Sequence, residues 1–148
     1  MTNGKRHINK NATAWIMMVS ALAVHVFDEA VTGFLSFYNP LVLDLKQNLG
    51  FFPMPTFTFP IWLGGLIAVI MLCFLLTPLV KIGGRFIRVF AIALSTIMIA
   101  NGLGHMLGSV YFGKLLPGFW SSPLLLASAI YMAIRGLKSF KKFLDYKT

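Results

Sequence analysis

Three ionisable side chains fall within five positions of one apolar stretch, in the segment HVFDE that contains His25, Asp28 and Glu29. The two carboxylates are half of the four acidic residues in the 148-residue chain. Adjacent carboxylates repel each other when both are charged and unpaired, and a histidine three or four residues away on a helix faces the same side. These residue types at this spacing suit binding of a metal ion or acid–base transfer of protons.

A second polar pair lies in a later apolar stretch, where Asn101 and His105 are one helical turn apart. Helical periodicity in the first stretch places several small or polar residues within about 60° of His25, namely Ala21, Asp28, Glu29, Thr32 and Ser36. In the last apolar stretch one helical face carries Ser121, Ser128, Tyr131 and Arg135. We predict one site that contains His25, Asp28, Glu29, Asn101 and His105, with Ser128 and Tyr131 as its hydrogen-bonding partners.

The elements that must position these residues are long and apolar. The chain is 57% hydrophobic and 11% charged, whereas a soluble domain carries about 25% charged residues. A helix needs about 20 mostly apolar residues to cross a bilayer, and a membrane barrel would show alternating segments of about ten. The sequence predicts an all-α bundle of four transmembrane helices in a single integral membrane domain, 1–148, with spans at about 14–37, 60–80, 86–112 and 118–137.

The basic residues indicate how the four spans are oriented. The formal net charge is +9, and threading four spans leaves only Lys46 and Lys114 on one side. The other side receives eleven basic residues, Lys5, Arg6, Lys10, Lys81, Arg85, Arg88, Arg135, Lys138, Lys141, Lys142 and Lys147. The positive-inside rule then predicts that both termini are cytoplasmic. The basic tail is therefore expected to contact anionic lipid headgroups of the bilayer, and we expect no nucleic acid as a partner.

The connection between the first two spans, the outer loop 38–59, has two parts. The segment PLVLDLKQNL mixes apolar and charged residues, as in a helix that lies along the membrane interface. The segment FFPMPTFTFP contains three prolines, which favour an extended chain. Loops of this length are usually functional or mobile, so a lid over the outer end of the bundle and a plain interfacial anchor are both compatible with it.

The two motifs resemble those of the HXXEE family of small bacterial membrane proteins. Its first motif, a histidine followed after two residues by two acids, is matched by His25, Asp28 and Glu29, with Asp28 in place of the first glutamate. Its second motif is similar to NGLGHMLGSVYFGKLLPG, which supplies Asn101, His105, Tyr111, Pro117 and Gly118. The resemblance implies a multi-pass protein of the bacterial cytoplasmic membrane, and it implies no particular reaction.

The residues themselves favour an integral membrane enzyme that uses a metal ion. His25, Glu29 and His105 would be ligands, and Asp28 would be a fourth ligand or a general base. Asn101 would orient the bound cofactor, together with Ser128 and Tyr131. Two histidines and one carboxylate suit zinc or iron, and a site inside the membrane suits a lipid-like or small hydrophobic substrate.

Two other functions fit the same residues. A carboxylic acid and a histidine in a dry site can exchange protons without a metal, as an isomerase or hydratase of a lipid requires, and the catalytic residues would again be His25, Asp28, Glu29 and His105. A membrane-embedded acid is also typical of proton-coupled transporters of small molecules. A transporter of this size would have to form a homo-oligomer to build a pathway.

Overall fold

A computed structural model of the protein describes the backbone of residues 9–145 and the side chains of residues 9–141. This part of the chain is helical, as predicted, and contains no β-strand. Six helices follow one another: α1 (Lys10–Val31), α2 (Phe34–Leu49), α3 (Phe59–Leu75), α4 (Thr77–Ile82), α5 (Arg85–Tyr111) and α6 (Ser122–Asp145).

Three helical segments are long and apolar enough to cross a membrane, namely α1, the pair α3 and α4 (Phe59–Ile82), and α5. These segments overlap the first three predicted spans. The fourth predicted span, 118–137, does not qualify among the described residues. The helix in this region, α6, begins only at Ser122. The second half of α6 has a lower hydropathy because it contains Arg135, Lys138, Lys141 and Lys142.

The first predicted span is interrupted before its expected end. The side chain of Asn9 caps the start of α1 by accepting hydrogen bonds from two backbone N–H groups. The helix stops at Val31 because Gly33 has a φ of 78°, a left-handed conformation that glycine adopts without steric cost. Ser36 therefore belongs to α2 and does not lie on the same helical face as His25, as a continuous helix would require.

The segment predicted as an outer loop contains α2 and an extended return segment, residues 51–58, without regular secondary structure. Asn39 of α2 joins the two, because its side-chain amide donates to the carbonyl of Phe57 (2.9 Å) and accepts from the N–H of Phe57 (3.1 Å). The hydroxyl of Tyr38 donates to the carbonyl of Pro55 at 3.0 Å. These bonds fold α2 and the return segment against each other beside the start of α3.

Helix α6 holds α1 and α5 together. It packs along both of them, and α1 also packs against α3 and α4. Gly102 permits the close approach of α5 to α6, since a Cβ atom there would lie 3.2 Å from the backbone oxygen of Ser122. Five residues of the core between these helices are at most 2% exposed, namely Trp15, Met18, Leu125, Ala129 and Met132.

The starts of α1 and α5 meet the ends of α4 and α6 at one end of the bundle, which we call the basic end. The amide of Asn9 donates to the carbonyl of Lys81 at 2.8 Å, and the amide of Asn11 donates to the hydroxyl of Ser139 at 3.0 Å. The guanidinium of Arg88 also donates to the backbone oxygen of Ser139. The start of α1 and the end of α6 are therefore on the same side of the molecule.

The basic end is named for its charges. The helix segments that form it carry Lys10, Lys81, Arg85, Arg88, Arg135, Lys138 and Lys141. Lys5, Arg6 and Lys147, which the sequence predicts for the same side, lie outside the described residues, as does the side chain of Lys142. Lys46 and Lys114 lie away from this end, on α2 and on the link between α5 and α6.

A break between α3 and α4 is stabilised from α1. Pro78 has no N–H group and cannot continue the hydrogen-bond pattern of α3. The indole N–H of Trp15 donates to the carbonyl of Cys73 at 2.9 Å, and both residues are at most 2% exposed. The bond satisfies a buried carbonyl close to the break.

We expect Trp15→Phe to lower the free energy of unfolding by about 1–3 kcal/mol, because the Cys73 carbonyl would lose its donor while remaining buried. Trp120→Phe is the control, since that side chain is 72% exposed. Denaturant unfolding in detergent, followed by circular dichroism, measures both variants. Equal stability of the two would contradict a structural role for the Trp15 bond.

Candidate functional site

His25, Glu29 and His105 meet at the end of the bundle opposite the basic end. His25 and Glu29 lie in the last two turns of α1, and His105 lies in the last two turns of α5. Glu29 Oε1 is 3.0 Å from His105 Nε2 and 3.6 Å from His25 Nε2. The three residues are 0%, 4% and 8% exposed in chain order. The two sequence motifs thus contribute to one buried cluster.

This cluster can hold a metal ion. One ligand atom from each of the three side chains lies within 4.8 Å of the others. Two ligands of a tetrahedral ion with bonds of about 2.0 Å are about 3.3 Å apart, and the two contacts of Glu29 fall on either side of that value. His25 Nε2 is buried and has no hydrogen-bond partner among the described residues, and a bound cation would supply the missing partner.

Asp28 reaches the cluster only through Ser121. The carboxylate oxygen Oδ2 of Asp28 accepts hydrogen bonds from the backbone N–H of Ser121 at 3.0 Å and from its hydroxyl at 2.7 Å. The same hydroxyl lies 2.8 Å from His25 Nδ1. Asp28 is half-buried, and it is not among the three residues whose ligand atoms converge.

These contacts decide which nitrogen of His25 carries a proton. A serine hydroxyl has one proton to donate, and the carboxylate of Asp28 is a nearer and stronger acceptor than the carbonyl of Gly118 at 3.1 Å. With its proton given to Asp28, the hydroxyl of Ser121 must accept from His25 Nδ1–H. In the neutral imidazole this leaves the lone pair on Nε2, the atom nearest to Glu29.

Gly118 is in contact with all three members of the cluster. A Cβ atom at this position would lie 2.9 Å from Glu29 Cγ, 2.9 Å from His25 Cε1 and 3.1 Å from His105 Cε1. Its φ of 82° is also a conformation that favours glycine. The carbonyl of Gly118 accepts from the hydroxyl of Ser122 at 2.7 Å, which ties this turn to the start of α6.

The link between α5 and α6 is attached to α5 beside His105. The hydroxyl of Ser109 donates to the carbonyl of His105 at 2.7 Å and accepts from the N–H of Leu116 at 2.9 Å. All three residues are buried. This bridge holds the link against the last turns of α5 and so places the following turn at Gly118 over the cluster.

Aromatic rings cover the cluster on the side of α2. The ring of Phe34 lies 5.9 Å from that of His105 and stacks on Trp62 at 5.6 Å. The rings of His25 and His105 meet edge to face at 4.8 Å. The cluster is therefore bounded by apolar surface where α2 and α3 approach it.

Among the described residues, no hydrogen bond or ring contact joins the other predicted site residues to the cluster. The side-chain oxygen of Asn101 is buried without a hydrogen-bond partner in the described part of the chain. The hydroxyl of Ser128 donates to the carbonyl of Leu125 at 2.9 Å within α6, and Tyr131 is 37% exposed. Ser128 lies too deep in the bundle to contact the cluster. The cluster is level with Ser121, and Ser128 is about 10 Å further along α6.

Ser121, Ser109 and Phe34 are the neighbours of the cluster that sequence reasoning did not select. Ser121 lies on the predicted polar face of the last span, and its position three residues after the Gly118 of the Pro117-Gly118 pair was a usable signal for a turn at the site. Ser109 and Phe34 carried no such signal, since a serine and a phenylalanine are ordinary residues in an apolar helix. Their proximity follows from the tertiary arrangement of α2, α5 and the link.

The chain was compared with known protein families, curated proteins and solved structures. The model of a family described as "Protein of unknown function with HXXEE motif" matches residues 15–132. The match includes the whole cluster, Ser121 and Gly118. No significant match to a curated protein or to a solved structure is found.

The matched residues cover most of the chain and contain both polar motifs that build the buried cluster. Asp28 occupies the position of the first glutamate of the motif. Its carboxylate is still linked to the cluster, because the hydroxyl of Ser121 bridges it to His25. This chain belongs to the HXXEE family, whose function is unknown.

Proposed function

We propose that the protein is an integral membrane enzyme that binds a divalent metal ion through His25, Glu29 and His105 and acts on a lipid-like or small hydrophobic substrate. The observation that carries this proposal is the convergence of three buried ligand atoms, one of them a histidine nitrogen that has no hydrogen-bond partner in the part of the chain that the structure describes. Two imidazoles and one carboxylate favour zinc or non-haem iron. Such an ion would activate water or polarise a carbonyl group of the substrate.

The cost of the cluster favours a functional role over helix association. An ionisable residue inside a membrane helix costs about 2.5–3.5 kcal/mol on the insertion scale, and Glu29 is 4% exposed. Hydrogen bonds between membrane helices return only about 0.6 kcal/mol on average. A divalent cation would offset the charge of Glu29, while Asp28 is satisfied separately by the two donors of Ser121.

The geometry favours a positioning role for Asp28 rather than the role of ligand or general base. Asp28 and Ser121 fix the orientation and tautomer of His25, as carboxylates commonly do for a histidine that binds a metal. Three protein ligands would leave a fourth position for water or substrate, which is the composition of catalytic zinc sites. Asn101, Ser128 and Tyr131 have no part in this proposal.

We expect Ser121→Ala to weaken metal binding by about 10–100-fold, the usual effect of losing a partner that orients a ligating histidine. Ser128→Ala is the matched control, because that hydroxyl bonds only within its own helix. Competition with a chromophoric chelator measures both affinities in detergent. If Ser121→Ala and Ser128→Ala bind the metal equally well, the bridge from Asp28 to His25 has no positioning role.

The orientation in the membrane is part of the proposal. We infer that α6 crosses the bilayer as a fourth span, because it packs along α1 and α5, which are both long and apolar enough to do so. The charges at the basic end support the further proposal, by the positive-inside rule, that this end and both termini face the cytoplasm of a bacterial cell. The cluster then lies in the outer half of the cytoplasmic membrane.

The test of enzymatic function is conversion of a membrane lipid. The metal-loaded protein and its His105→Gln variant are reconstituted in vesicles made from bacterial lipid extract, and lipid species are compared by mass spectrometry after incubation. The proposal predicts at least one species consumed by the parent and not by the variant. An unchanged lipid profile with folded, metal-loaded parent would contradict it.

A metal-free acid–base enzyme is the second candidate. The contact of 3.0 Å between Glu29 and His105 is a direct hydrogen-bond distance that a carboxylate and an imidazole make without an ion. Such a pair could move a proton during isomerisation or hydration of a lipid. Lipid conversion that survives complete removal of metal by a chelator would favour this candidate over the first.

A further inference from the structure

An apolar groove between α2 and α3 adjoins the cluster. Its volume is about 410 Å³, within the range of roughly 300–1,000 Å³ that is typical of ligand sites. Two side chains in its wall carry a polar group: Tyr38, whose hydroxyl already donates to the carbonyl of Pro55, and Trp62, which has an indole N–H. The wall also includes Phe34, Phe57, Gly65 and Val69.

We propose that this groove holds the hydrocarbon chain of the substrate and that the side chain of Phe34 is the gate between that hydrocarbon chain and His105. The proposal deepens the proposed function and rests on it for the identity of the reacting site. It assigns a substrate with a long apolar chain and a polar reacting end, which enters sideways from the bilayer between α2 and α3.

The chemistry of the groove selects a hydrocarbon occupant. One wall belongs to α3, which is part of a helical segment apolar enough to cross a membrane, so acyl chains of the bilayer are its natural surroundings. No charged or amide side chain lines the groove to bind a polar ligand. A lipid chain gains from burial there without needing hydrogen bonds.

Phe34 provides the link to the cluster. Its ring lines the groove, stacks on Trp62 and lies 5.9 Å from the ring of His105. Phe34 is only half-buried, so the fold does not enclose its ring on every side. One rotamer change of this side chain would therefore bring the end of a chain in the groove next to His105.

A second groove supplies an internal comparison. It lies between α1 and α3, has a volume of about 430 Å³ and is equally apolar, with walls that include Phe27, Leu63, Ile67 and Met71. Within the described residues, no side chain of this second groove forms a ring contact or hydrogen bond with His25, Glu29 or His105. Nonspecific contact with bilayer lipid would lead to equal occupancy of the two grooves by lipid chains.

Two neighbouring glycines of α3 provide the variants. A Cβ atom at Gly65 or at Gly64 would meet no atom within 4 Å, so a side chain can be added at either position without a clash at its first carbon atom. Gly65 lines the groove between α2 and α3, and Gly64 does not. Gly65→Phe fills the groove, and Gly64→Phe adds the same side chain to the same helix beside it.

The experiment is photo-crosslinking in nanodiscs with a phospholipid that carries a diazirine in its acyl chain, followed by peptide mapping. We expect the parent to be labelled in the α2–α3 groove in preference to the α1–α3 groove. Gly65→Phe should lose this preference, and Gly64→Phe should keep it. Equal labelling of the two grooves in the parent, or unchanged labelling in Gly65→Phe, would overturn the proposal.

The metal content of the same samples separates this inference from the proposed function. Gly65→Phe should bind the metal as the parent does, because the groove and the ligands are different residues. Selective labelling of a parent that binds no metal would support the groove and contradict the metal enzyme. A metal-loaded parent with equal labelling of the grooves would contradict the groove and leave the metal site supported.

Discussion

Glu29→Gln is expected to reduce metal binding more than about 100-fold, because loss of a partner outside the ligand set already costs about 10–100-fold. The amide keeps the shape of the side chain but lacks the negative charge that faces both histidines. Glu29 is the only carboxylate within the three-residue cluster, so no neighbouring ligand replaces it. Elemental mass spectrometry of protein purified without chelators measures the result.

Asp44→Asn is the control for this substitution. It removes the same charge from an exposed residue of α2, away from the cluster, and should leave the metal content unchanged. His105→Gln gives an independent reading if Glu29→Gln fails to fold. A folded Glu29→Gln protein with the metal content of the parent would refute Glu29 as a ligand.

Gly118→Ala is expected to lower the free energy of unfolding by about 2–5 kcal/mol and to disrupt metal binding. Of this, about 1–2 kcal/mol comes from the left-handed backbone and about 1–3 kcal/mol from overpacking. The added methyl would lie 2.9 Å from atoms of both Glu29 and His25. At no other glycine in the described part of the chain would an added Cβ atom contact a residue of the cluster.

Gly113→Ala separates the two contributions. Gly113 has a φ of 63° and open space where a Cβ atom would lie, so its substitution imposes backbone strain without a clash. It should cost only about 1–2 kcal/mol and leave metal binding intact. Thermal unfolding and metal content measured side by side test this, and equal effects of the two alanines would show that contact with the cluster is unimportant.

The sequence was sufficient to predict the three residues of the cluster. Their types are costly in an apolar helix, and the spacing of His25 and Glu29 puts both on one face of α1. His105 was predicted to face them from α5, and the structure places it 3.0 Å from Glu29. Long apolar stretches likewise predicted α1, α5 and the pair α3 and α4 to within a few residues, except at the end of α1.

The depth of the site was not predictable in the same way. The first span was expected to continue to Phe37, which put His25 near its middle. The left-handed Gly33 ends the helix earlier, so the cluster lies in the last two turns. That shift replaces Ser128 by Ser121 as the serine that contacts the site, and glycine conformation cannot be inferred from hydropathy.

The role of Asp28 also depended on a contact that helical periodicity does not contain. Asp28 and Glu29 are neighbours in sequence, and both were predicted for the same site, Glu29 as a ligand and Asp28 as a fourth ligand or a general base. In the structure their carboxylates diverge, one toward Ser121 and the other toward His105. The side chains of adjacent helix residues point in directions about 100° apart. The hydrogen-bond partner of each carboxylate therefore depends on which part of the fold lies in that direction.

X-ray absorption spectroscopy of the metal-loaded protein tests the central claim most directly. The account predicts two imidazole nitrogens and one carboxylate oxygen at about 2.0–2.2 Å from a zinc or iron ion. The imidazole signal should fall by half in His25→Ala and in His105→Ala. An ion without imidazole ligands, or a spectrum that neither histidine variant changes, would contradict a metal centre at His25, Glu29 and His105.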